Sequence, residues 1–97
     1  MLILITYDVS VIVDGGAKRL RQIAKTCLDY GVRVQNSVFE CEIEPAKYLQ
    51  LKNKLLDIYQ PETDSLRFYH LGKKGRNNVE HHGAKKVLDV DKDPLIL

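Results

Sequence analysis

The sequence of 97 residues lacks several features that define other protein classes. Its cysteines, Cys27 and Cys41, form no CxxC pair and no Cys/His spacing of the zinc type, so we expect buried, reduced thiols in an intracellular protein. The apolar start, residues 1–7, is too short to span a bilayer and lacks a basic n-region with a small-residue cleavage site. We therefore expect a cytoplasmic protein with no membrane partner.

A large excess of charge is also missing. The formal net charge of +2 is too small to indicate a nucleic-acid partner, so any basic surface must come from local arrangement. The glycine-containing segments 15–16 and 72–75 do not have the spacing of a nucleotide-binding motif. The histidines include no HxxxH pair, and adjacent strand residues point to opposite faces, so we do not expect a metal site from His70, His81 and His82.

Short β-rich and amphipathic segments alternate along the chain. The run Leu2 to Tyr7 predicts a buried central strand, followed by Asp8. Apolar residues at three- and four-residue spacing predict a helix from Ala17 to Tyr30, stopped by Gly31, with a basic outer side. The other predicted elements are two strands within 33–43 broken near 35–37, a helix from 45 to about 59, a turn over 61–64 and a strand over 65–71. This β-α-β-β-α-β order predicts an α+β, ferredoxin-like sandwich.

The last quarter of the chain, residues 72–97, has a different character. It is basic at first, then alternates between apolar and acidic residues over 87–91 and finishes on apolar 95–97. A strand-forming apolar tail is best explained by addition to a sheet edge, such as that of a second subunit. We therefore predict one domain over 1–97, with 72–97 as a segment exchanged between the subunits of a homodimer.

Asp8 is the position most suggestive of chemistry. A carboxylate directly after a buried strand is unfavourable unless it is solvated, paired or metal-bound. If a two-fold axis brought two copies of Asp8 together, Mg²⁺ would relieve their repulsion, because this ion accepts one or two carboxylates while keeping several waters. Such an ion supports phosphodiester hydrolysis. The alternative is that Asp8 only begins a turn or caps nearby backbone amides.

Other candidate residues each have a functional and a structural interpretation. Tyr7 either stacks on a base or belongs to the core, and Ser10 binds either a phosphate or metal-bound water, or local backbone. Arg33 either binds a phosphate or pairs with Glu40 or Glu42. Glu40 and Glu42 alternate with apolar residues, which is the ordinary pattern of a solvent-facing or interface-facing strand edge. The basic face of the first helix either lines a nucleic-acid backbone or is simply solvated; it comprises Lys18, Arg19, Arg21 and Lys25.

These segments together resemble a known family, the second CRISPR-associated protein, which is the small partner of the CRISPR integrase. The resemblance rests on Leu4-Ile5-Thr6-Tyr7-Asp8-Val9 with a basic helix after it, and on Arg33-Val34-Gln35-Asn36-Ser37-Val38-Phe39-Glu40. The segments 65–69, 83–86 and 94–97 fit as well, so the resemblance covers nearly the whole chain.

The resemblance implies a ferredoxin-like homodimer whose C-terminal segment crosses to the partner's sheet. It implies that Asp8 from both subunits brackets one Mg²⁺, with Mn²⁺ as a substitute, in an endonuclease for double-stranded DNA or single-stranded RNA that takes part in spacer acquisition and antiviral defence. The residues it places around Asp8 are Tyr7, Ser10, Arg19, Arg33, Ser37 and Phe39, with Arg21 as an alternative to Arg19.

The same resemblance implies a second role, in which the dimer is a DNA-binding scaffold between integrase dimers and needs no catalytic Asp8. A small-molecule enzyme of similar fold, such as an acylphosphatase, needs an arginine in a phosphate-binding loop after the first strand. The loop over residues 9–16 contains neither arginine nor lysine, which argues against that class.

Overall fold

The computed structural model describes residues 1–71 and 79–84. Within them, one antiparallel sheet has the strand order β2-β3-β1-β4-β5. The elements in chain order are β1 (Leu2–Asp8), α1 (Gly16–Leu28), β2 (Val32–Gln35), β3 (Val38–Glu42), α2 (Pro45–Ile58), β4 (Ser65–Leu71) and β5 (Val79–Gly83). The predicted α+β, ferredoxin-like fold is confirmed. No helix in these residues is long and apolar enough to cross a membrane.

β1 is the central strand because its sequence is apolar toward both faces. Ile3 and Ile5 are fully buried, and Leu4, which points the other way, is only 6% exposed. β1 pairs with β3 on one side and with β4 on the other, so both of its edges are hydrogen-bonded. Asp8, the last residue of this strand, lies opposite Ser65 of β4, and its side chain is exposed.

Both helices pack on one face of the sheet, here called the helix-covered face. Their buried positions recur at helical spacing and meet the inward residues of the strands; they are Ile23, Cys27, Tyr48, Leu51 and Leu55. Phe39 and Phe68 are fully buried beneath them, and each such side chain contributes roughly 1.5–3 kcal/mol. α1 begins one residue before its predicted start and ends two residues before its predicted end, since residues 29 and 30 form a turn.

The cysteines confirm the expected burial. Both thiols are free and buried, and burial raises the pKa of Cys27 to about 12 and that of Cys41 to about 11. Thiols held in this neutral form are unreactive, so they contribute to packing.

Part of the C-terminal segment lies in its own chain's sheet. Val79–Gly83, within the segment 72–97 that we expect to be exchanged between subunits, forms β5 and pairs with β4 of the same chain. The exchange between subunits stays a prediction. The Glu80 carboxylate of this strand accepts hydrogen bonds from Tyr48 and Lys52 of α2 and from His70 of β4. These three hydrogen bonds are here called the Glu80 network. The remaining parts of the predicted exchange segment, 72–78 and 85–97, lie outside the described residues.

Candidate functional site

A cleft of about 200 Å³ opens where β1 ends. Asp8 lies opposite Ser65 in the register of β1 and β4, and Thr6 lies opposite Arg67. Because Ile5 and Tyr7 point into the core, the alternation of the strand directs Thr6 and Asp8 to the other face of the sheet, here called the second face. The residues lining this Asp8 cleft are Thr6, Tyr7, Asp8, Ser65 and Arg67.

The contribution of β4 to this cleft was not predicted from the sequence. The alternation of β4 could have indicated it. Leu66 and Phe68 are fully buried on the helix-covered face, so Ser65 and Arg67 lie on the second face. The sequence could not supply the register that brings Arg67 into the same cleft as Asp8. Antiparallel pairing with β1 supplies it.

Tyr7, Phe39 and Arg33 form a stack on the helix-covered face. The rings of Tyr7 and Phe39 are stacked with their centroids 6.0 Å apart, and the Arg33 guanidinium lies 5.1 Å from the centroid of Phe39. Tyr7 is only 6% exposed, its hydroxyl donates to the backbone carbonyl of Asn36 at 3.3 Å, and burial raises its pKa. This arrangement matches the core interpretation of Tyr7 and supports the end of β1 from beneath.

Ser37 and Arg33 complete the connection between β1 and the β2–β3 hairpin. The backbone N–H of Tyr7 donates to the carbonyl of Ser37 at 3.2 Å. Ser37 immediately precedes β3, so this bond continues the pairing of β1 into the β2–β3 turn. Arg33 lies opposite Phe39 in the β2–β3 register and so shares its face, whereas Glu40 points to the other face. The Arg33 guanidinium therefore lies over the Phe39 ring and also interacts with the Tyr7 side chain, two contacts that were not predicted from the sequence.

Asp64 is a buried carboxylate that sequence reasoning assigned only to a turn. It is fully buried and accepts hydrogen bonds from four residues. The Nε of Arg19 donates to it at 2.8 Å, and the backbone N–H groups of Ser10 and Gln60 donate at 3.1 and 2.9 Å. The hydroxyl of Thr63 adds a fourth donor at 3.0 Å. Burial opposes ionisation, but these donors outweigh it and hold the pKa of Asp64 below its usual range.

This Asp64 network fixes the loop that leaves the cleft. It joins Ser10, two residues after Asp8, to Arg19 in α1 and to the turn before β4. Gly16 tightens the same connection, because a Cβ atom there would lie 2.1 Å from the carbonyl oxygen of Ser10. The loop can therefore leave β1 in only a narrow range of directions.

The two predicted arginines of α1 differ in their surroundings. Arg19 is 14% exposed and its charge is balanced by Asp64, while its Nη1 donates to the carbonyl of Asp14 at 3.1 Å. Arg21 is exposed on the outer side of the helix together with Lys18 and Lys25. The structure thus brings Ser10 and Arg19 together through Asp64 and leaves Arg21 on a separate basic surface.

The described residues contain no group of three or more His, Cys, Asp or Glu side chains that could hold a metal ion. Asp8 is the carboxylate in the Asp8 cleft. Mg²⁺ binds through one or two carboxylates and keeps several waters, so one Asp8 from each of two copies forms a suitable donor set. A second carboxylate at this strand end would come from Asp8 of a second copy of the chain.

Comparison with known proteins agrees with this fold. A family model described as CRISPR associated protein Cas2 matches residues 1–79. A protein of Nitratidesulfovibrio vulgaris named CRISPR-associated endoribonuclease Cas2 is 57% identical over 97 residues, covering 100% of this chain and 94% of that protein. A protein of Halalkalibacterium halodurans named CRISPR-associated endonuclease Cas2 is 52% identical over 99% of both chains. The crystal structure of Streptococcus pyogenes Cas2 at pH 6.5 has a TM-score of 0.69 and 52% identity, covering 82% of this chain and 96% of that one. The chain therefore belongs to the Cas2 family of CRISPR-associated proteins.

Proposed function

We propose that this protein is a CRISPR-associated, metal-dependent endonuclease in which Asp8 from each of two copies holds one divalent cation. The observation that carries the proposal is the exposed carboxylate of Asp8 at the end of a buried strand, in a cleft on the second face of the sheet. The names of the relatives support a nuclease, since they are called endoribonuclease in one case and endonuclease in another.

Mg²⁺ fits the proposed donor set, and Mn²⁺ is its expected substitute. When bound, the ion activates a water molecule and balances the charge that builds on a phosphodiester during hydrolysis. The contribution of the chain is to orient the carboxylate. β3 and β4 hold both edges of β1, and the stacked rings of Tyr7 and Phe39 support its end. The Asp64 network holds the loop that follows.

A second candidate function is a dimeric scaffold that holds spacer DNA for a CRISPR integrase. The exposed positive charges of Lys18, Arg21 and Lys25 on one side of α1 favour it, because such a row suits the phosphates of a nucleic-acid backbone. Both functions require nucleic-acid contact, but only the nuclease requires Asp8. Variants of these two regions therefore separate the two functions.

The test is the Asp8→Ala variant, assayed in parallel for cleavage and for spacer integration. Single-stranded RNA and duplex DNA are each incubated with Mg²⁺, with Mn²⁺ and with EDTA. We expect the variant to lose about 100-fold or more of the cleavage rate, by analogy with loss of other electrostatic stabilisers of a transition state. Circular dichroism and sedimentation should show an unchanged fold and unchanged association.

Asp57→Ala is the matched control, because Asp57 is an exposed carboxylate on α2, which lies across the helix-covered face. Cleavage by this control should equal that of the wild type. Undiminished cleavage by Asp8→Ala would overturn the nuclease mechanism. Unchanged integration by Asp8→Ala, with loss of integration after charge reversal at Lys18, Arg21 and Lys25, would favour the scaffold.

A further inference from the structure

Another cleft, of about 360 Å³, lies at the opposite end of β1 from Asp8. Its lining comes from the turn after α1, from the residue that follows β3 and from α2; the residues are Asp29, Tyr30, Ile43, Lys47 and Lys54. The backbone N–H of Ile43 donates to the carbonyl of Met1 at 2.9 Å, which places this cleft, here called the Tyr30 cleft, beside the start of β1. The two clefts are roughly 20 Å apart along the strand, so one phosphate group cannot contact both.

The Tyr30 cleft carries an excess of positive charge. Lys47 and Lys54 are seven residues apart on α2, so the helix presents both on the side that lines the cleft. Both side chains are exposed. Within the described part of the chain, neither lysine forms an ion pair with a carboxylate. Asp29 attracts Lys54 without such a pair, and the two ammonium groups outnumber its single negative charge.

Tyr30 orients one of these cations. The Lys54 ammonium lies 5.2 Å from the centroid of the Tyr30 ring, where the electron-rich face attracts it. Its interaction with the Tyr30 side chain is the main cause that raises the pKa of Lys54, so the lysine is charged at neutral pH. The ring does not neutralise the ammonium, whose charge still acts on an anion in the cleft. Tyr30 and Ile43 are half-buried and pack against the core, which fixes the apolar wall of the cleft.

Two lysines beside an aromatic and an aliphatic side chain suit a nucleotide. Each ammonium group has three N–H donors, and phosphate oxygens are among its ordinary acceptors. A terminal phosphate group carries about −1.5 to −2 charges at pH 7, more than the carboxylate of a peptide, and so matches two lysines better. The attached base or sugar requires an apolar wall, and aromatic side chains commonly support bases in this way.

We propose that the Tyr30 cleft binds the terminal phosphate of a nucleotide. Lys47 and Lys54 are the partners of the phosphate, and Tyr30 and Ile43 form the wall for the attached sugar or base. This inference goes beyond the proposed nuclease function, because binding in the Tyr30 cleft needs neither Asp8 nor a divalent cation.

The nucleotide is either free or the end of a nucleic-acid strand, and the basic side of α1 distinguishes the two. Lys18, Arg21 and Lys25 are exposed on this helix, and Asp29 follows its last residue. Lys25 and Asp29 are one helical turn apart and lie on the same side. A strand whose end occupies the Tyr30 cleft therefore also contacts the basic side of α1, whereas a free nucleotide contacts only the cleft.

The first test is an NMR titration in EDTA, which removes divalent cations and so excludes binding at a metal site. The probes are adenosine 5′-monophosphate, adenosine, and a short single-stranded oligonucleotide with and without a 5′ phosphate. We expect saturable shifts of the amides that line the Tyr30 cleft with the monophosphate and none with adenosine. A phosphorylated oligonucleotide that binds more tightly and also shifts Lys18 and Arg21 identifies a strand end. Equal affinities, with shifts confined to the cleft, identify a free nucleotide.

The second test changes the charges of the cleft. Lys47→Gln and Lys54→Gln each remove one ammonium group from an exposed position, so the fold should be retained. We expect each to weaken the affinity for the monophosphate about fivefold, and Asp29→Asn to strengthen it about twofold. The matched control is Lys18→Gln, an exposed cation at the other end of α1, which should leave this affinity unchanged.

The outcomes separate this inference from the nuclease proposal. Wild-type affinity in a folded Lys47→Gln/Lys54→Gln double variant would overturn the inference. Absence of saturable shifts in the Tyr30 cleft of the wild type would overturn it as well, whatever the variants do. If the wild type cleaves no nucleic acid but the monophosphate shifts the amides of the cleft, nucleotide binding stands and the nuclease proposal fails. Cleavage by a protein whose Tyr30 cleft binds none of the probes gives the reverse result.

Discussion

Asp8 and Asp64 are the same residue type at the same end of two paired strands, yet their surroundings are opposite. Asp8 ends β1 and is exposed, whereas Asp64 precedes β4 and is fully buried. The carboxylate of Asp64 accepts hydrogen bonds from four residues, and one of them brings a full positive charge. A carboxylate with these donors has no place for an ion, so Asp64 stabilises the fold, whereas the exposed side chain of Asp8 lines the cleft.

The arginines of α1 repeat this contrast within a single turn. Arg19 is almost buried against Asp64, and Arg21 is exposed two residues later. Removing the partner of a buried charge destabilises the protein. An exposed charge contributes little to the free energy of unfolding and remains accessible to a ligand. The comparison thus separates residues whose loss should unfold the protein from residues whose loss should only weaken function.

The largest expected effect is on folding, from Asp64→Ala. This change leaves the Arg19 guanidinium buried without its partner, so we expect a loss of about 3–5 kcal/mol in the free energy of unfolding. Asp8→Ala should change that free energy by less than about 0.5 kcal/mol, because its side chain is exposed. Urea denaturation of both variants at one protein concentration provides the measurement. Equal stabilities of the two variants would contradict a structural role for Asp64 that Asp8 does not share.

A smaller effect should follow from Gly16→Ala. The new Cβ would press on the Ser10 carbonyl at 2.1 Å, and overpacking of this kind typically costs about 1–3 kcal/mol. Because the contact is with backbone rather than with a flexible side chain, we expect a destabilisation of about 2–3 kcal/mol, measured by thermal or urea unfolding. Lys18→Ala, in the same turn but exposed, is the control and should be close to neutral.

The Glu80 carboxylate is partly exposed, between the exposed Asp8 and the buried Asp64. Its contribution to stability should appear in the pH dependence of the free energy of unfolding. Burial raises its pKa, but hydrogen bonds from Tyr48, Lys52 and His70 outweigh burial and lower the pKa from 4.5 to about 2. A carboxyl group whose pKa is lower in the folded state stabilises the fold above its unfolded pKa, and this contribution is lost as pH falls from about 4.5 to about 2. Because the side chain is 35% exposed, solvent screening reduces the expected loss to about 1 kcal/mol.

The measurement for Glu80 is the free energy of unfolding between these two pH values, for the wild type and Glu80→Gln. The variant should show a shallower dependence on pH, since it has no carboxyl group to protonate. A stability that rises as the wild type is acidified through this range would contradict the prediction. Tyr48→Phe, which removes one donor to the carboxylate, should give an intermediate slope.

The smallest effect on folding is expected from Arg21→Gln. Its side chain is exposed, so the free energy of unfolding should change by less than about 0.5 kcal/mol. If α1 contacts a nucleic-acid backbone, the slope of log affinity against log salt should fall by about one. Arg19→Gln should instead destabilise the protein, and the two results together test whether burial separates these neighbours. A salt slope unchanged by Arg21→Gln would remove this residue from the binding surface.

Much of the fold was predictable from local patterns. The apolar run of β1, the helical spacing in α1 and α2 and the alternation of Phe39 and Cys41 with Glu40 and Glu42 each predicted their element correctly. These signals are local, because a helix or a half-buried strand repeats its contacts every few residues. The observed ends of these elements differ from the predicted ends by only one or two residues.

The site was less predictable because its contacts are distant in sequence. Asp64 looked like part of a turn, and only the folded chain brings Arg19 and Ser10 to it. Arg67 lies in a predicted strand, but its place in the cleft of Asp8 depends on the register between β1 and β4. The position of β5 was missed for the same reason, since the Glu80 network joins it to α2 and β4. Asp8 itself could be singled out because it follows an unusually apolar strand.

The hydrogen bond between the Ser10 amide and Asp64 has a consequence for the dynamics of the site. A loop amide usually exchanges its hydrogen through small local openings, whereas an amide held by a buried ion pair exchanges when the larger unit opens. Ser10 should therefore exchange as slowly as the core strands, although it lies outside any strand or helix. The segment after Asp8 would then share the cooperative unfolding of the sheet, and the shape of the cleft would persist for as long as the domain remains folded.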